Sequence, residues 1–187
     1  MSRRASTLAS TAYPTFRPFI PPAELAGLCD AIRHGSRAGI AGLRGEGGTG
    51  KSVLAAAAAR ALADEFPGGV HWVTIGEHAT EEDVRRLQAH LLASVGAPFD
   101  GQLRDFNEGR EQLTIALSSR PALVVIDDAW RPWQAIAFDA LSSSSLARIL
   151  FTTRFPEVLP GQTAALGLES LGAAGNAVSP RRSRSAR

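Results

Sequence analysis

The chain has 187 residues, of which 44% are hydrophobic and 20% charged, and its formal net charge is +2. This composition indicates a globular protein and excludes collagenous, coiled-coil and wholly disordered chains. The apolar run over residues 53–59 is far shorter than the ~18 residues of a membrane span. Because no secretory signal is visible and Cys29 is the single cysteine, we expect a cytoplasmic protein without disulfides.

Basic residues are concentrated at the two ends of the chain. The single lysine is Lys51, and six of the arginines lie within residues 1–4 and 181–187. The middle of the chain is therefore net acidic, so nucleic acid is not an expected partner. We expect residues 1–18, rich in Ser, Thr and Pro, to form a disordered lead and residues 169–187 to form a disordered Arg/Ser-rich tail.

The first half of the remaining chain predicts two helices and two strands. Residues 25–32 indicate an amphipathic helix that ends near Gly35 and carries Cys29 on its apolar face. Residues 38–43 predict a buried strand, and the Ala-rich residues 51–66 predict a helix that ends before the Pro-Gly-Gly of residues 67–69. Residues 70–75 predict a second strand, with His71 packed in it rather than binding a metal.

The second half continues the alternation. Helices are predicted from the Thr80 N-cap to Gly96, over residues 107–118 and over residues 133–141. The continuous apolar run of residues 122–126 is typical of a parallel strand buried on both faces, and residues 148–153 and 164–168 predict two more strands. Strands that alternate with helices predict an α/β fold, a three-layer sandwich with a parallel sheet of about five strands flanked by helices.

A phosphate-binding motif stands between the first predicted strand and the Ala-rich helix. Residues 45–52 read Gly-Glu-Gly-Gly-Thr-Gly-Lys-Ser and match G-x-x-x-x-G-K-[ST] in full, which predicts a P-loop NTPase. Its glycines let successive backbone N–H groups face a phosphate beside the positive end of a helix dipole. Lys51 is expected to reach the β- and γ-phosphates, and the Ser52 hydroxyl to bind Mg²⁺. The predicted cofactor-binding residues are Gly45, Gly47, Gly48, Thr49, Gly50, Lys51, Ser52 and Val53.

Charged residues follow two other predicted strands. Asp127 and Asp128 end the most apolar run, at the sheet edge where ligands gather in open α/β folds. Asp127 is the predicted magnesium carboxylate, and Asp128 is expected to orient the attacking water. Arg154 ends a strand expected beside the phosphate-loop strand, from which a guanidinium can reach a γ-phosphate. Solvated loop residues for the two aspartates, and a capping role at the sheet edge for Arg154, remain open.

Several segments together resemble the NB-ARC ATPases, STAND-class switches that include plant disease-resistance proteins and bacterial regulators. The likeness is particularly to the apoptotic protease-activating factor type and covers roughly residues 18–160. It is carried by residues 66–73 (Phe-Pro-Gly-Gly-Val-His-Trp-Val), 125–130 (Val-Ile-Asp-Asp-Ala-Trp) and 149–154 (Ile-Leu-Phe-Thr-Thr-Arg), together with the phosphate-loop motif.

The resemblance implies an adenine-nucleotide switch with slow or no ATP hydrolysis. In such switches ADP holds a closed state, and ATP favours an open state that self-oligomerises and activates an attached effector. It implies that Lys51 and Ser52 hold the phosphates and Mg²⁺, that Asp127 and Asp128 are the Walker B acids, and that Arg154 senses the γ-phosphate.

The chain departs from the family pattern in two places. An Arg-containing turn usually precedes the first helix, whereas here Phe19 and Ile20 are the apolar candidates for the adenine contact. The helical and winged-helix parts that follow in the family are not recognisable, so we expect residues 19–168 to form the nucleotide-binding domain of a truncated, bacterial member.

Two other functions stay open on the sequence. A free-standing P-loop kinase or ATPase would have this size, although an arginine-bearing lid is not evident because Arg104, Arg110 and Arg120 are scattered. A non-functional fragment is the other. The tryptophans are interpreted as packing aromatics rather than a base-stacking platform, namely Trp72, Trp130 and Trp133.

Overall fold

The computed structural model describes residues 22–42, 50–99 and 101–168. The strands are β1 (Arg37–Gly42), β2 (Val70–Thr74), β3 (Leu123–Ala129), β4 (Arg148–Thr153) and β5 (Ala164–Leu168). The helices are α1 (Pro22–His34), α2 (Lys51–Ala61), α3 (Glu81–Ser94), α4 (Phe106–Ser118) and α5 (Pro132–Phe138), with short 3₁₀ turns at Ala63–Glu65 and Pro156–Val158. The predicted lead, residues 1–18, and the predicted tail, residues 169–187, lie outside the described residues.

Within the described residues, one parallel sheet contains β1 to β5 in the order β2-β3-β4-β1-β5. This confirms the predicted α/β fold. Strand β4 lies between β1 and β3, so the strand that Arg154 follows does lie beside the phosphate-loop strand. Among the described helices, none is both long and apolar enough to cross a membrane.

Strand β3 is buried on both faces of the sheet, as its continuous apolar sequence predicts. Leu123 and Val125 belong to a core shared with α1 and α2, which includes Leu54. Val124 and Ile126 belong to the core shared with α3, α4 and α5. All four strand side chains are at most 1% exposed. Because successive strand residues face opposite sides, one apolar run supplies both cores and defines the three-layer sandwich.

Two predicted helices end earlier than their sequence patterns indicate. Helix α2 ends at Ala61, and the chain makes a 3₁₀ turn that Arg33 of α1 ties down through Glu65, at 2.7 Å. Helix α5 ends at Phe138, and its C-cap residue Asp139 pairs with Arg37 at the start of β1. In both places an ion pair with a residue far along the chain lies at the point where the helix ends.

The Phe-Pro-Gly-Gly segment lies at the amino-terminal edge of the sheet. A Cβ on Gly68 would lie 2.7 Å from Cγ of Arg120 and 2.9 Å from the carbonyl oxygen of Pro121, so a side chain would collide there. The Gly68 amide donates to that same Pro121 oxygen at 2.9 Å. The segment therefore joins the starts of β2 and β3. It lies at the edge of the sheet opposite the start of α2, and its contacts stabilise the fold rather than bind a ligand.

His71 of the same segment predicts a pH-dependent stability. Its Nε2 donates to Gly68 O at 3.1 Å, and its Nδ1 lies 3.0 Å from Ser94 Oγ of α3. Burial, helped by the charge of Arg120, lowers the pKa of His71 below its ordinary 6.5 despite the bond to Gly68. His71 therefore binds a proton more readily in the unfolded chain than in the folded protein. The stability that the neutral His71 contributes is fully present above pH 6.5 and is lost as the pH falls below this value.

Denaturant unfolding at about pH 7.5 and about pH 5.5 measures this loss. We expect His71→Gln to unfold with a smaller difference between the two pH values than the wild type. The exposed His90 of α3 offers the matched control, and His90→Gln should keep the wild-type difference. A wild-type difference retained in His71→Gln would contradict the assignment.

Candidate functional site

The candidate site lies where β1, β3 and β4 end on the same edge of the sheet. In a parallel sheet the carboxyl ends of neighbouring strands meet at one edge. Helix α2 begins at this edge, because its Ser52 contacts Asp127 near the end of β3. Six predicted binding residues lie outside the described residues, namely Phe19, Ile20, Gly45, Gly47, Gly48 and Thr49. The described part of the motif begins at Gly50.

Gly50 is the N-cap of α2. Its φ of 75° lies in the left-handed region that glycine adopts without strain, and its carbonyl oxygen accepts from the Leu54 amide at 2.8 Å. The first-turn amides, from Lys51 to Val53, are the ones for which a helix offers no carbonyl partner. They form the positive end of the helix dipole, which favours an anion at this position.

One carboxylate oxygen joins three elements of the site. Ser52 Oγ of α2 donates to Asp127 Oδ1 at 2.8 Å, and Thr152 Oγ1 of β4 donates to the same oxygen at 2.6 Å. Asp127 is only 7% exposed. Burial raises the pKa of Asp127 above its ordinary value, while the two hydroxyl bonds act in the opposite direction. The motif serine and the predicted metal carboxylate are thus in direct contact.

A β-bulge carries the two aspartates. Ile126 pairs with Phe151 and Ala129 pairs with Thr153, so Asp127 and Asp128 stand opposite one residue of β4. Asp128 has a φ of 57°, and its amide donates to Thr152 Oγ1 at 3.0 Å. The aspartates lie at the carboxyl end of β3 as predicted, and the strand extends past the apolar run to Ala129 because pairing with β4 resumes after the bulge. Bulges of this kind are frequent beside functional sites, where they redirect a side chain.

Lys51 stands among the other charged groups of the site. It is half-buried, and its pKa is lowered first by burial and then by the positive charge of Arg154. The charges of Asp128 and Asp127 act on it in the opposite direction. The structure therefore brings together every predicted site residue that it describes from these strand ends and the start of α2. The two cations repel each other, and an anion bound between them would relieve that repulsion.

Trp130 contacts Arg154, which the sequence did not indicate. The guanidinium carbon of Arg154 lies 4.6 Å from the centroid of the Trp130 ring. Phe155 packs edge-on against the indole, with ring centroids 5.8 Å apart and ring planes at 63°. Trp130 is half-buried and packs as predicted, but its partner is a site residue. The available signal was its place two residues after Asp128, at the end of the strand next to β4.

Gln134 is a second residue that sequence reasoning missed. It is fully buried, and its Oε1 accepts from the amides of Trp130 at 2.9 Å and Arg131 at 3.0 Å. Its Nε2 donates to Gly76 O after β2 at 3.4 Å. Gln134 thus fixes the loop that follows the aspartates. A polar residue on a buried helix position was the only sequence signal.

Fold and site together define the class of the chain. A parallel sheet in this order, a phosphate-loop motif between β1 and α2, and paired acids at the end of β3 are the arrangement of a P-loop NTPase. The chain matches the family described as "NB-ARC domain" over residues 25–170, which is most of its length. It therefore belongs to the NB-ARC family of nucleotide-binding domains.

Individual relatives agree with the family assignment. The chain is 37% identical to apoptotic protease-activating factor 1 of Rattus norvegicus over 118 residues, which is 59% of this chain and 9% of that protein. The Homo sapiens protein of the same name is 37% identical over 120 residues, and the Mus musculus protein 37% identical over 117. The matched region is thus less than a tenth of the length of these relatives, each of which is covered to 9%.

Proposed function

We propose that the chain is an adenine-nucleotide-binding switch module that binds ADP and ATP with Mg²⁺ and hydrolyses ATP slowly or not at all. The observation that carries the proposal is the contact of Ser52 with Asp127, within electrostatic range of Lys51 and Arg154. These residues come from α2, β3 and β4, and they meet only because of the fold. A solvated loop would not bring them together.

The phosphates are the part of the ligand for which the site is best suited. Lys51 and the first-turn amides of α2 supply positive charge, and Arg154, which follows β4, adds to it within electrostatic range of Lys51. A polyphosphate between the two cations would relieve their mutual repulsion and accept charge-assisted hydrogen bonds from both. We assign Lys51 to the β- and γ-phosphates and Arg154 to the γ-phosphate. Gly45, Gly47, Gly48, Thr49, Gly50 and Val53 complete the proposed loop through their backbone amides.

Ser52 and Asp127 fit a magnesium ion. Both offer the hard oxygen donors that Mg²⁺ prefers, and their oxygens already lie 2.8 Å apart. When bound, the ion would neutralise phosphate charge. Thr152 keeps the Asp127 carboxylate oriented by donating to it, and Asp128 is proposed to orient water at the γ-phosphate. Few protein ligands are expected, because Mg²⁺ with nucleotides is usually held by one or two side chains, phosphates and water.

The base preference and the signalling role rest on family membership. Phe19 and Ile20 are the proposed adenine contacts. The matched relatives are named for the activation of a protease in apoptosis. We propose by analogy that the module acts in the cytoplasm and takes part in self-oligomerisation, as intact relatives with effector or repeat domains would. A kinase function is less well supported, since the arginines that could belong to a lid are scattered along the chain, namely Arg104, Arg110 and Arg120.

Replacing Arg154 tests the discrimination between the two nucleotides. We expect Arg154→Ala to lower ATP affinity by about tenfold or more, since a hydrogen bond to a charged group contributes about 1.5–3 kcal/mol. ADP affinity should change little. Isothermal titration calorimetry with each nucleotide measures the difference. The exposed Arg131 provides a control, because Arg131→Ala also removes an arginine near this edge. Equal losses for ATP and ADP would exclude a γ-phosphate contact.

A further inference from the structure

We propose that Trp130 is the positioning residue for Arg154, and that it thereby sets the preference of the site for a nucleoside triphosphate over a diphosphate. The inference rests on the proposed function of Arg154. It assigns to the indole ring a task that neither the phosphate-loop motif nor the acidic strand end performs.

The Trp130 ring is the contact that restricts the Arg154 side chain. The arginine is exposed, and no carboxylate of the described residues forms an ion pair with it. An exposed arginine otherwise samples many rotamers, and ordering it has an entropic cost. At 4.6 Å from the ring centroid, the guanidinium lies well within the ~6 Å range of a cation–π interaction. Trp130 therefore limits the directions in which Arg154 can extend.

The ring itself is held from several sides. Phe155 packs edge-on against it at 5.8 Å, and the Trp130 amide donates to the buried Gln134 at 2.9 Å. The turn that carries Arg154 and Phe155 is closed by Thr153, whose Oγ1 accepts from the Phe155 amide at 3.1 Å. Thr153 is fully buried at the end of β4. Both partners of the cation–π pair are thus fixed to adjacent strands, β3 and β4.

The position of the guanidinium affects the site because its positive charge acts on Lys51 and lowers the pKa of that side chain. Two cations that repel each other would separate if one were free to swing into solvent. The ring keeps the guanidinium near Lys51, so a bound γ-phosphate meets both cations without a rearrangement. A diphosphate lacks the group that both would contact, so its affinity should be independent of Trp130.

The indole supplies its π face and no hydrogen bond. Its Nε1 is buried, and no described residue accepts a hydrogen bond from it. Trp130→Phe therefore keeps an aromatic face without removing a polar contact, whereas Trp130→Leu keeps apolar bulk and removes the face. The two variants separate a cation–π role from simple packing.

The first experiment needs no nucleotide. In the full chain carrying Trp72→Phe and Trp133→Phe, Trp130 is the sole tryptophan, and excitation at the red edge of the indole band avoids the single tyrosine. We expect Arg154→Ala to increase the quenching of Trp130 by the neutral quencher acrylamide, because the guanidinium no longer covers the ring. Arg131→Ala should leave the quenching unchanged. Unchanged quenching in Arg154→Ala would overturn the proposal whether or not the chain binds nucleotide, and whether or not any Trp130 variant folds.

The second experiment measures the ratio of ATP affinity to ADP affinity. We expect Trp130→Leu to lower this ratio about two- to fivefold, the effect of losing an exposed cation–π contact, and Trp130→Phe to keep most of it. Trp130→Leu should add nothing in an Arg154→Ala background. Equal ratios in the Leu and Phe variants, or the same effect in both backgrounds, would overturn the inference. If the wild type binds neither nucleotide, the proposed function fails, while the quenching result still decides whether Trp130 holds Arg154.

Discussion

Lys51→Ala is expected to abolish measurable nucleotide binding. Lys51 is the single lysine of the chain, and it is half-buried at the start of α2, where the charges of Asp127, Asp128 and Arg154 all act on it. Removing one partner of a partly buried charge pair costs about 2–5 kcal/mol, which corresponds to roughly 30- to 5,000-fold in affinity. Calorimetric titration of the purified chain with ADP and with ATP measures the loss.

The matched control lies at the other end of the same helix. Arg60 is exposed in the last turn of α2, so Arg60→Ala removes a positive charge from the helix without touching the site. Its nucleotide affinity should equal that of the wild type. If Lys51→Ala and the wild type bound ADP equally well, the phosphate-loop assignment would be wrong.

Asp127→Asn is expected to weaken the effect of Mg²⁺ on nucleotide binding and to stabilise the fold in the absence of ligand. The asparagine carbonyl can still accept the bonds from Ser52 and Thr152, but the negative charge is lost. We expect Mg²⁺ to stop strengthening nucleotide binding, because a neutral amide is a much poorer ligand for a hard cation. Affinities measured with and without Mg²⁺ give this dependence directly.

The second effect of Asp127→Asn is a gain in stability without ligand. Burial raises the pKa of Asp127 above its ordinary 3.8, so the fold disfavours the charged form more than the unfolded chain does. The carboxylate therefore destabilises the fold at pH values above this range, and the neutral amide should raise the melting temperature at neutral pH. Asp64→Asn, at an exposed acid outside the site, is the control and should change neither property. A lowered melting temperature, or an intact Mg²⁺ dependence, would contradict the account.

The fold was predictable because its strands carry their own signal. Residues 122–126 are apolar without interruption, and β3 is indeed the strand that supplies both cores. The alternation of such runs with amphipathic helices is a local property, which a sequence displays directly. The positions of Lys51 and Ser52 at the start of α2 followed equally directly from the motif.

The finer geometry depends on contacts between distant parts of the chain. Two acids after an apolar run suggest the end of a strand, and only pairing with β4 reveals the bulge that continues it. Thr152 looks like an ordinary strand residue until its hydroxyl is found on a carboxylate 25 residues away. Near the early ends of α2 and α5, Glu65 and Asp139 likewise pair with Arg33 and Arg37, which are 32 and 102 positions away along the chain. No local pattern contains this information.

Trp130 illustrates the same limit at the site. Its sequence neighbourhood predicts an aromatic that packs, and it does pack, against Phe155. Its contact with Arg154 follows from the adjacency of β3 and β4, which sets the ends of the two strands side by side. A residue type can thus be interpreted correctly while its partner, and therefore its role, stays hidden.

Thermal unfolding of the wild-type chain with ADP, ATP or GTP, each with and without Mg²⁺, tests the central claim most directly. We predict that ADP and ATP raise the melting temperature and that GTP leaves it unchanged. At a ligand concentration of about 100 times Kd the gain is about 2.7 kcal/mol, or roughly 5–10 °C for a domain of this size. A chain that melts cooperatively at the same temperature with every nucleotide would contradict the account.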